Sequence, residues 1–311
     1  MTFKYDYAII FMVKHMETLN KRHNITDIVI VVFVWIISIT ALVFSVRFYR
    51  ENAPVMISFI DIGQGDSCLI QGGDDGTVLI DGGNAGSGYT LQSYLKSKNI
   101  SKLNAVFISH FHDDHACGIG ELIEQGFDIE KLYINLEETD SELRLNILSL
   151  ASERGISVNW IEKDKSYFIG KFKYEVLAPD KGVQNMKHND QSTIMRAVYN
   201  DFSVLFTGDA EKEEQRIVSS IYGEDLKSTI LKVPHHGSKT AVCDEFIFDV
   251  KPEYAVISLG KDNMYKCPSA EMLDTLNRNG IPIWRTDYDG TIEFVVNDKG
   301  VRNISITDRR G

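Results

Sequence analysis

Cysteine is scarce in this chain. Four residues in 311, Cys68, Cys117, Cys243 and Cys267, show no CxxC spacing, too few and too scattered for a disulfide scaffold. They read as free, buried thiols. A basic surplus is missing as well: 33 Lys and Arg stand against 44 Asp and Glu, a net charge of −11. That balance argues against a protein that holds nucleic acid simply by being basic. It leaves room for a nucleic-acid substrate held at a locally positive metal site. No period of repeat length and no low-complexity linker interrupts the chain after its first fifty residues. The apolar share of 43% and charged share of 25% are those of an ordinary globular protein. The length allows one large core or two small ones.

One stretch departs from that average. Residues 28–46, IVIVVFVWIISITALVFSV, carry no charge, no Gly and no Pro. At about 1.5 Å per residue such a run spans a bilayer core of about 30 Å. A buried core helix would carry a polar stripe, and only Ser38, Thr40 and Ser45 interrupt here. Phe44, Phe48 and Tyr49 sit near one end, where an aromatic belt lies in membrane spans. A cleaved signal peptide has a shorter apolar run and a small-x-small site after it. The expectation is a short tail over 1–27 and a single membrane anchor over 28–46. Lys14, Lys21 and Arg22 before the run outnumber Arg47 and Arg50 after it. The positive-inside rule then leaves the bulk of the chain outside the cytoplasm.

From 55 to 308 the pattern is continuous. Short apolar runs such as VMISFIDI (55–62), TVLIDGG (77–83), AVFIS (105–109), FSVLFTGD (202–209) and TIEFVV (291–296) read as strands. Helix-period segments lie between some of them, among them 89–99, 120–127, 141–155, 210–221 and 269–280. Two hairpin-rich runs, each followed by strand–helix alternation, predict two packed sheets with helices outside, a four-layer αββα sandwich.

Eight histidines serve the whole chain, and three fall within HFHDDH at 110–115. The cluster follows the strand AVFI, so a tight loop is expected to present His110, His112, Asp114 and His115 to one volume. Neutral imidazole and carboxylate are donors that zinc, manganese or iron accept. Three further strand ends carry such residues: Asp81 in LIDGG, Asp209 in LFTGDA, and His235 with His236 in LKVPHHGS. Active sites of layered α/β folds gather at the carboxyl ends of strands. GQGDS (63–67) lacks a P-loop lysine and opens no clear helix. It reads as a tight turn whose glycines approach the metal loop, with Asp66 and Ser67 near the site edge.

HFHDDH, GD and PHHGS, in this order, resemble the metallo-β-lactamase-fold hydrolases. FIDIGQGDSCLI (59–70), LIDGG, AVISLGKDNMY (255–265) and WRTDYDGTI (284–292) resemble more narrowly the extracytoplasmic hydrolase domain of ComEC-type competence proteins, over roughly residues 55–295. A single apolar run cannot form the multi-span channel of that family. The resemblance implies an αββα metallo-β-lactamase sandwich behind one anchor, with two divalent ions, zinc or, as the alternative metal, manganese. His110 and His112 would hold one ion and Asp114 and His115 the other. Asp209 would bridge them, and His235 would complete the second site, with His236 as the competing choice. The first site's third histidine corresponds to the KHNDQST stretch, which offers His188, Asn189 and Asp190.

A second departure is Cys267, which stands before Pro268 where relatives commonly carry His; it is a soft metal ligand or a packed thiol. The implied reaction is hydrolysis by a metal-activated hydroxide, since two cations about 3.5–4 Å apart acidify water toward a pKa of about 7. Asp114 and Asp209 would serve the chemistry, and His236 would act as general acid. Asp81 would orient a ligand histidine or cap the GGN turn. Ser238 and Lys239, with Lys232, would meet a phosphate. The implied activity is phosphodiester hydrolysis, including cleavage of DNA outside the membrane. Other readings are a phosphoesterase on lipid or cell-wall headgroups, a β-lactamase, and a non-catalytic binding module that keeps its metal for structure.

Overall fold

A computed structural model of the chain describes residues 25–51, 54–73, 76–135, 141–180, 188–297 and 300–307. It divides into two units, 1–53 and 54–311. In the first unit, helix α1 runs Ile25–Glu51. Its stretch Thr26–Ser45 is apolar and none of it is buried. Ile28, Phe33, Leu42 and Phe44 each expose more than half their surface. Such a helix is not a core helix, and its length and composition suit a membrane span. The expected tail lies outside the described residues up to position 24.

The second unit is built on two sheets. The first is eight-stranded among the described residues: β1 Val55–Phe59, β2 Cys68–Gln71, β3 Thr77–Ile80, β5 Ala105–Ile108, β7 Lys131–Ile134, β8 Ser157–Trp160, β16 Ile292–Asn297 and β17 Gly300–Ile306, in the order β17-β16-β1-β2-β3-β5-β7-β8. The second is seven-stranded: β9 Ser166–Ile169, β10 Phe172–Ala178, β11 Ile194–Tyr199, β12 Phe202–Phe206, β13 Ile230–Lys232, β14 Tyr254–Ile257 and β15 Ile283–Arg285, in the order β15-β14-β13-β12-β11-β10-β9. A small pair, β4 Lys102–Leu103 and β6 Asp128–Ile129, runs parallel beside them. Each large sheet is antiparallel at one side and parallel at the other. β3, β5, β7 and β8 are parallel in the first, and β12, β13, β14 and β15 in the second.

Parallel strands need crossover helices, and these cover the outer faces. On the first sheet lie α2 Ser87–Ser97, α3 Asp113–Glu124 and α4 Glu142–Glu153. Their buried Leu91, Leu95, Ile119, Ile123 and Ile147 pack with Leu79, Val106 and Leu132 of the strands. On the second lie α5 Lys212–Tyr222, α6 Asp244–Val250 and α7 Ala270–Arg278, whose Val218, Phe246 and Leu276 pack on Leu205, Leu231 and Ala255. Strand alternation sends the other side chains between the sheets, where Phe59, Phe107, Tyr174, Phe206 and Phe294 form a third core. These layers are the αββα sandwich.

One local difference bears on function. The apolar period predicts a helix from 120, yet α3 begins at Asp113, inside the histidine cluster. Asp113 and Asp114 in its first turn suit the positive end of the helix dipole. Asp114 and His115 are therefore helical residues rather than part of a loop.

Glu214, on the inner face of α5, is buried. Burial, and after it the charge of Asp190, push its carboxyl up to about 7. A carboxyl whose folded pKa exceeds its unfolded one stabilises below the unfolded value, about 4.3–4.5, and loses that contribution as pH rises through 7. Urea denaturation should therefore give a stability lower by about 1–3 kcal/mol at pH 8 than at pH 5, and Glu214→Gln should flatten the difference. An unchanged pH profile in the variant would refute this.

Candidate metal centre

The carboxyl ends of the parallel strands from both sheets meet on one edge. β3 delivers Asp81, β5 delivers His110 and His112, and the first turn of α3 adds Asp114 and His115. β12 delivers Asp209, and β13 leads into Pro234–Gly237 with its two histidines. Two candidate donor sets result. Donor atoms of Asp114, His115, Asp209 and His236 lie within 4.8 Å of one another, as do those of His110, His112 and Asp209. Asp209 belongs to both. A further acidic set, Asp66, Asp81 and His115, lies behind the first.

Each histidine in the four-donor set is aimed by a partner on its far nitrogen. His115 Nδ1 lies 3.0 Å from Asp81 Oδ2, which directs Nε2 to Asp209 Oδ1 at 3.1 Å. Asp81 is itself fixed, its Oδ1 accepting from Ser109 N and its Oδ2 from Ser109 Oγ, both at 2.8 Å. His236 Nδ1 lies 2.8 Å from the Ser258 carbonyl and 3.2 Å from Asp66 Oδ1. Its Nε2 then lies 3.1 Å from Asp114 Oδ2 and 3.5 Å from Asp209 Oδ1. Asp209 N donates to Ser192 Oγ at 3.0 Å, which holds the strand end in place. Gly65 has φ of 121°, and a Cβ there would lie 2.2 Å from the Asp114 carbonyl oxygen. Only glycine permits the GQGDS turn to lie against the start of α3.

The charges are mutually dependent. Burial opposes ionisation of Asp209, but His115 and His236 overcome it and hold the carboxyl well below its usual range. Burial likewise opposes the cations, yet Asp209 and Asp81 raise His115 well above normal, and Asp209 and Asp66 push His236 up to about 10. His110 is driven the other way by burial and by His115. Positive charge is thus demanded between Asp209 and the imidazoles. Buried His110 Nε2 makes no hydrogen bond, and His115 Nε2 and Asp209 Oδ1, 3.1 Å apart, face each other without a well-directed one. Polar atoms buried without partners are costly, and a cation among them satisfies all three at once. The nitrogen and oxygen donors fit zinc or manganese.

Several sequence expectations land elsewhere. His235, expected as a ligand, falls outside both sets: its Nε2 is 3.7 Å from Asp209 Oδ2, its Nδ1 is 3.8 Å from Glu211 Oε1, and Asn189 Nδ2 lies 3.4 Å from the ring. His236, expected as the general acid and as the competing ligand choice, joins the four-donor set. Left-handed backbone at both residues, φ of 47° and 53°, turns the second ring inward, where Asp66 and Ser258 receive it. Lys232, expected beside a substrate phosphate, is buried and paired with Asp66 Oδ2 at 2.7 Å. Ser238 accepts from Thr240 N, and exposed Lys239 pairs with Glu271 at 2.6 Å, so both are engaged within their own surface.

His188 opens the turn His188–Gln191, but its side chain lies outside the described residues. Cys267 is half-buried, and burial, then the nearby Asp209 charge, push its thiol up; it joins neither donor set. Sequence reasoning missed the buried Asp66–Lys232 pair behind His236. It also missed Asn135, whose Nδ2 donates to the carbonyls of Ser109 and Gln191 at 2.8 Å and ties the two sheets' loops together. The signal for Asp66 was its place in GQGDS.

Residues 60–261 match the model of the metallo-beta-lactamase superfamily, so the chain belongs to that superfamily of metallo-hydrolases. Among its relatives are competence proteins of the ComEC type. It is 31% identical to ComE operon protein 3 of Bacillus subtilis over 255 residues, covering 76% of this chain and 32% of that protein. Competence protein ComA of Neisseria gonorrhoeae is 28% identical over 262 residues, covering 82% of this chain and 35% of that protein. The chain thus spans about a third of the length of these relatives. Among solved structures, CmlA, a diiron β-hydroxylase from Streptomyces venezuelae, superposes with a TM-score of 0.52 at 9% identity, over 78% of this chain and 54% of that one, a likeness of fold alone.

Titration of the purified protein with zinc or manganese should resolve two unequal sites, the four-donor set filling first. Metal analysis should give about one ion fewer in His236→Ala and no loss in His235→Ala, while Asp209→Ala should fall below one. Equal losses in the two histidine variants would contradict the assignment.

Proposed function

We propose that this protein is a membrane-anchored hydrolase of phosphodiester bonds that holds two divalent ions, with nucleic acid among its substrates. The observation that carries the reading is Asp209, a buried carboxylate common to both donor sets. His110 and His112 would hold one ion, and Asp114, His115 and His236 the other, with Asp209 common to both sets. Such ions would supply Lewis acidity for activating water and for neutralising the charge that grows on phosphoryl oxygens.

The remaining work belongs to the chain. Asp81 and Asp66 keep the far nitrogens of His115 and His236 engaged, so that their Nε2 atoms stay on the site. His235 borders Asp209 with a quarter of its side chain open to solvent. Burial, against the pull of Asp209, keeps its pKa below normal, which favours the neutral ring. It is placed to hydrogen-bond a substrate oxygen. The likeness to competence proteins supports a nucleic-acid substrate; the acidic overall charge gives it no independent support.

Hydrolysis of bis-p-nitrophenyl phosphate with added manganese or zinc tests the reading. Asp209→Asn should cost at least about a thousandfold in kcat/KM, and Asp81→Asn about ten- to a hundredfold through the misaimed His115. Cleavage of nitrocefin with no diester activity would turn the reading toward a β-lactamase.

The anchor is proposed from α1, with the 54–311 unit outside the cytoplasm. The full chain should resist alkaline carbonate extraction from membranes, and a protease added outside intact spheroplasts should digest the 54–311 unit. Release by carbonate, or protection from the protease, would overturn anchoring or orientation respectively.

A further inference from the structure

After β14 the chain leaves the sheet at Ser258, whose carbonyl holds His236, and returns at Ser269 to begin α7. Between them, residues 260–268 form a loop pinned at both ends to the metal centre. Gly260 N donates to Gln64 Oε1 at 3.2 Å, and a Cβ on Gly260 would lie 2.7 Å from Gln64 N, in the GQGDS turn. Ser269 N donates to the Gly237 carbonyl at 2.9 Å, directly after His236.

The interior of the loop is rigid. Asn263 Nδ2 donates to the carbonyls of Gly260 at 3.2 Å and Cys267 at 2.8 Å, and Asn263 Oδ1 accepts from Cys267 N at 3.0 Å. One side chain thus staples the loop across its base. What the staple presents is unusual for a surface: Met264 is 82% exposed and Tyr265 65% exposed, side by side. Neither contributes to a core, and a rigid loop has no need of two large apolar side chains at its tip. Lys261 and Lys266 flank them, both exposed, and neither makes an ion pair among the described residues. The loop's one acidic residue is Asp262.

We propose that the Lys261–Lys266 loop is a substrate subsite beside the metal centre, in which the Tyr265 ring stacks on an unpaired base of a single-stranded nucleic acid while Lys261 and Lys266 meet its phosphates. This rests on the phosphodiesterase reading and extends it from the scissile bond to the neighbouring nucleotide. An aromatic ring between two unpaired lysines matches the alternation of flat base and charged phosphate along a strand. The ties of Gly260 to Gln64 and of Ser269 to Gly237 hold the base of the loop beside His236 of the donor set, from which the exposed ring projects. The subsite would supply local positive charge that the chain as a whole lacks.

The test is fluorescence anisotropy on the full chain in detergent, with metal present. The probes are an oligothymidylate and an abasic strand of equal length, both with phosphorothioate linkages to block turnover. The wild type should bind the base-bearing strand about five- to tenfold more tightly than the abasic one. Tyr265→Ala should abolish that preference while Tyr265→Phe, which keeps the ring, retains it. Paired Lys261→Gln and Lys266→Gln changes should weaken both strands and lower the salt dependence of binding. Equal binding of the two strands by the wild type, or an unchanged preference in Tyr265→Ala with unaltered melting temperature, would overturn the subsite. Loss of binding to anionic phosphatidylglycerol vesicles in Tyr265→Ala, with oligonucleotide binding intact, would overturn it in favour of a lipid contact. Binding is read without turnover, so the two readings fail separately. A protein that prefers bases but cleaves no diester loses the hydrolase, and one that cleaves diesters but ignores the ring loses only the subsite.

Discussion

A carboxylate taken out of water must find positive charge or give up its own. Asp209 stands at the seam between two sheets, buried to 3% of its surface, and the sheets answer it from both sides: His110, His112 and His115 from the first, His236 from the second. Much of the surrounding structure follows from that demand. The imidazoles near it must be aimed, so Asp81 and Asp66 are buried behind them. Asp66 is then a second buried carboxylate, and Lys232 is buried to match it at 2.7 Å. A chain of buried charges is stable only when every member is paired, because one unpaired ion inside a protein costs several kcal/mol. The same logic suits the centre to cations, which would take the place of protons on the histidines and leave the carboxylates compensated.

The fold's part is to make the convergence possible. Parallel strands run their carboxyl ends to a common edge, and each sheet has a parallel half for that purpose. The antiparallel halves close the sandwich and bury Phe59, Phe206 and Phe294 between the layers. Polar ties among the loops also cross the seam. Asn135 bridges the loops after β5 and before β11, and the GQGDS turn reaches Gly260 and the Asp114 backbone. These ties set the spacing of the donor sets, since neither sheet holds a complete set alone.

Much of this was legible before any coordinates, because metal chemistry restricts the residue types. HFHDDH, GD and PHHGS name their own donors, and apolar runs ending in such residues point to strand ends. The αββα layering follows from hairpins alternating with strand–helix units. What escaped was decided by backbone angle and by distant partners. His235 and His236 are neighbours of identical chemistry, and only left-handed φ values at both, with Asp66 waiting behind the second, separate the ring that joins the donor set from the one that borders it. Lys232, expected to meet a phosphate, is instead taken by Asp66, a partner in another motif altogether. The start of α3 at Asp113 was hidden because its first turn is selected by charge and donor chemistry, whereas the apolar period of Ile119 and Ile123 begins later.

The central claim is that two cations share Asp209 at the seam, and anomalous diffraction from crystals grown with zinc or manganese measures it directly. The account requires two metal peaks flanking the Asp209 carboxylate, one against His110 and His112, the other against Asp114, His115 and His236. Density for an ion on His235 with His236 turned away, or no anomalous peak within bonding distance of Asp209, would contradict it.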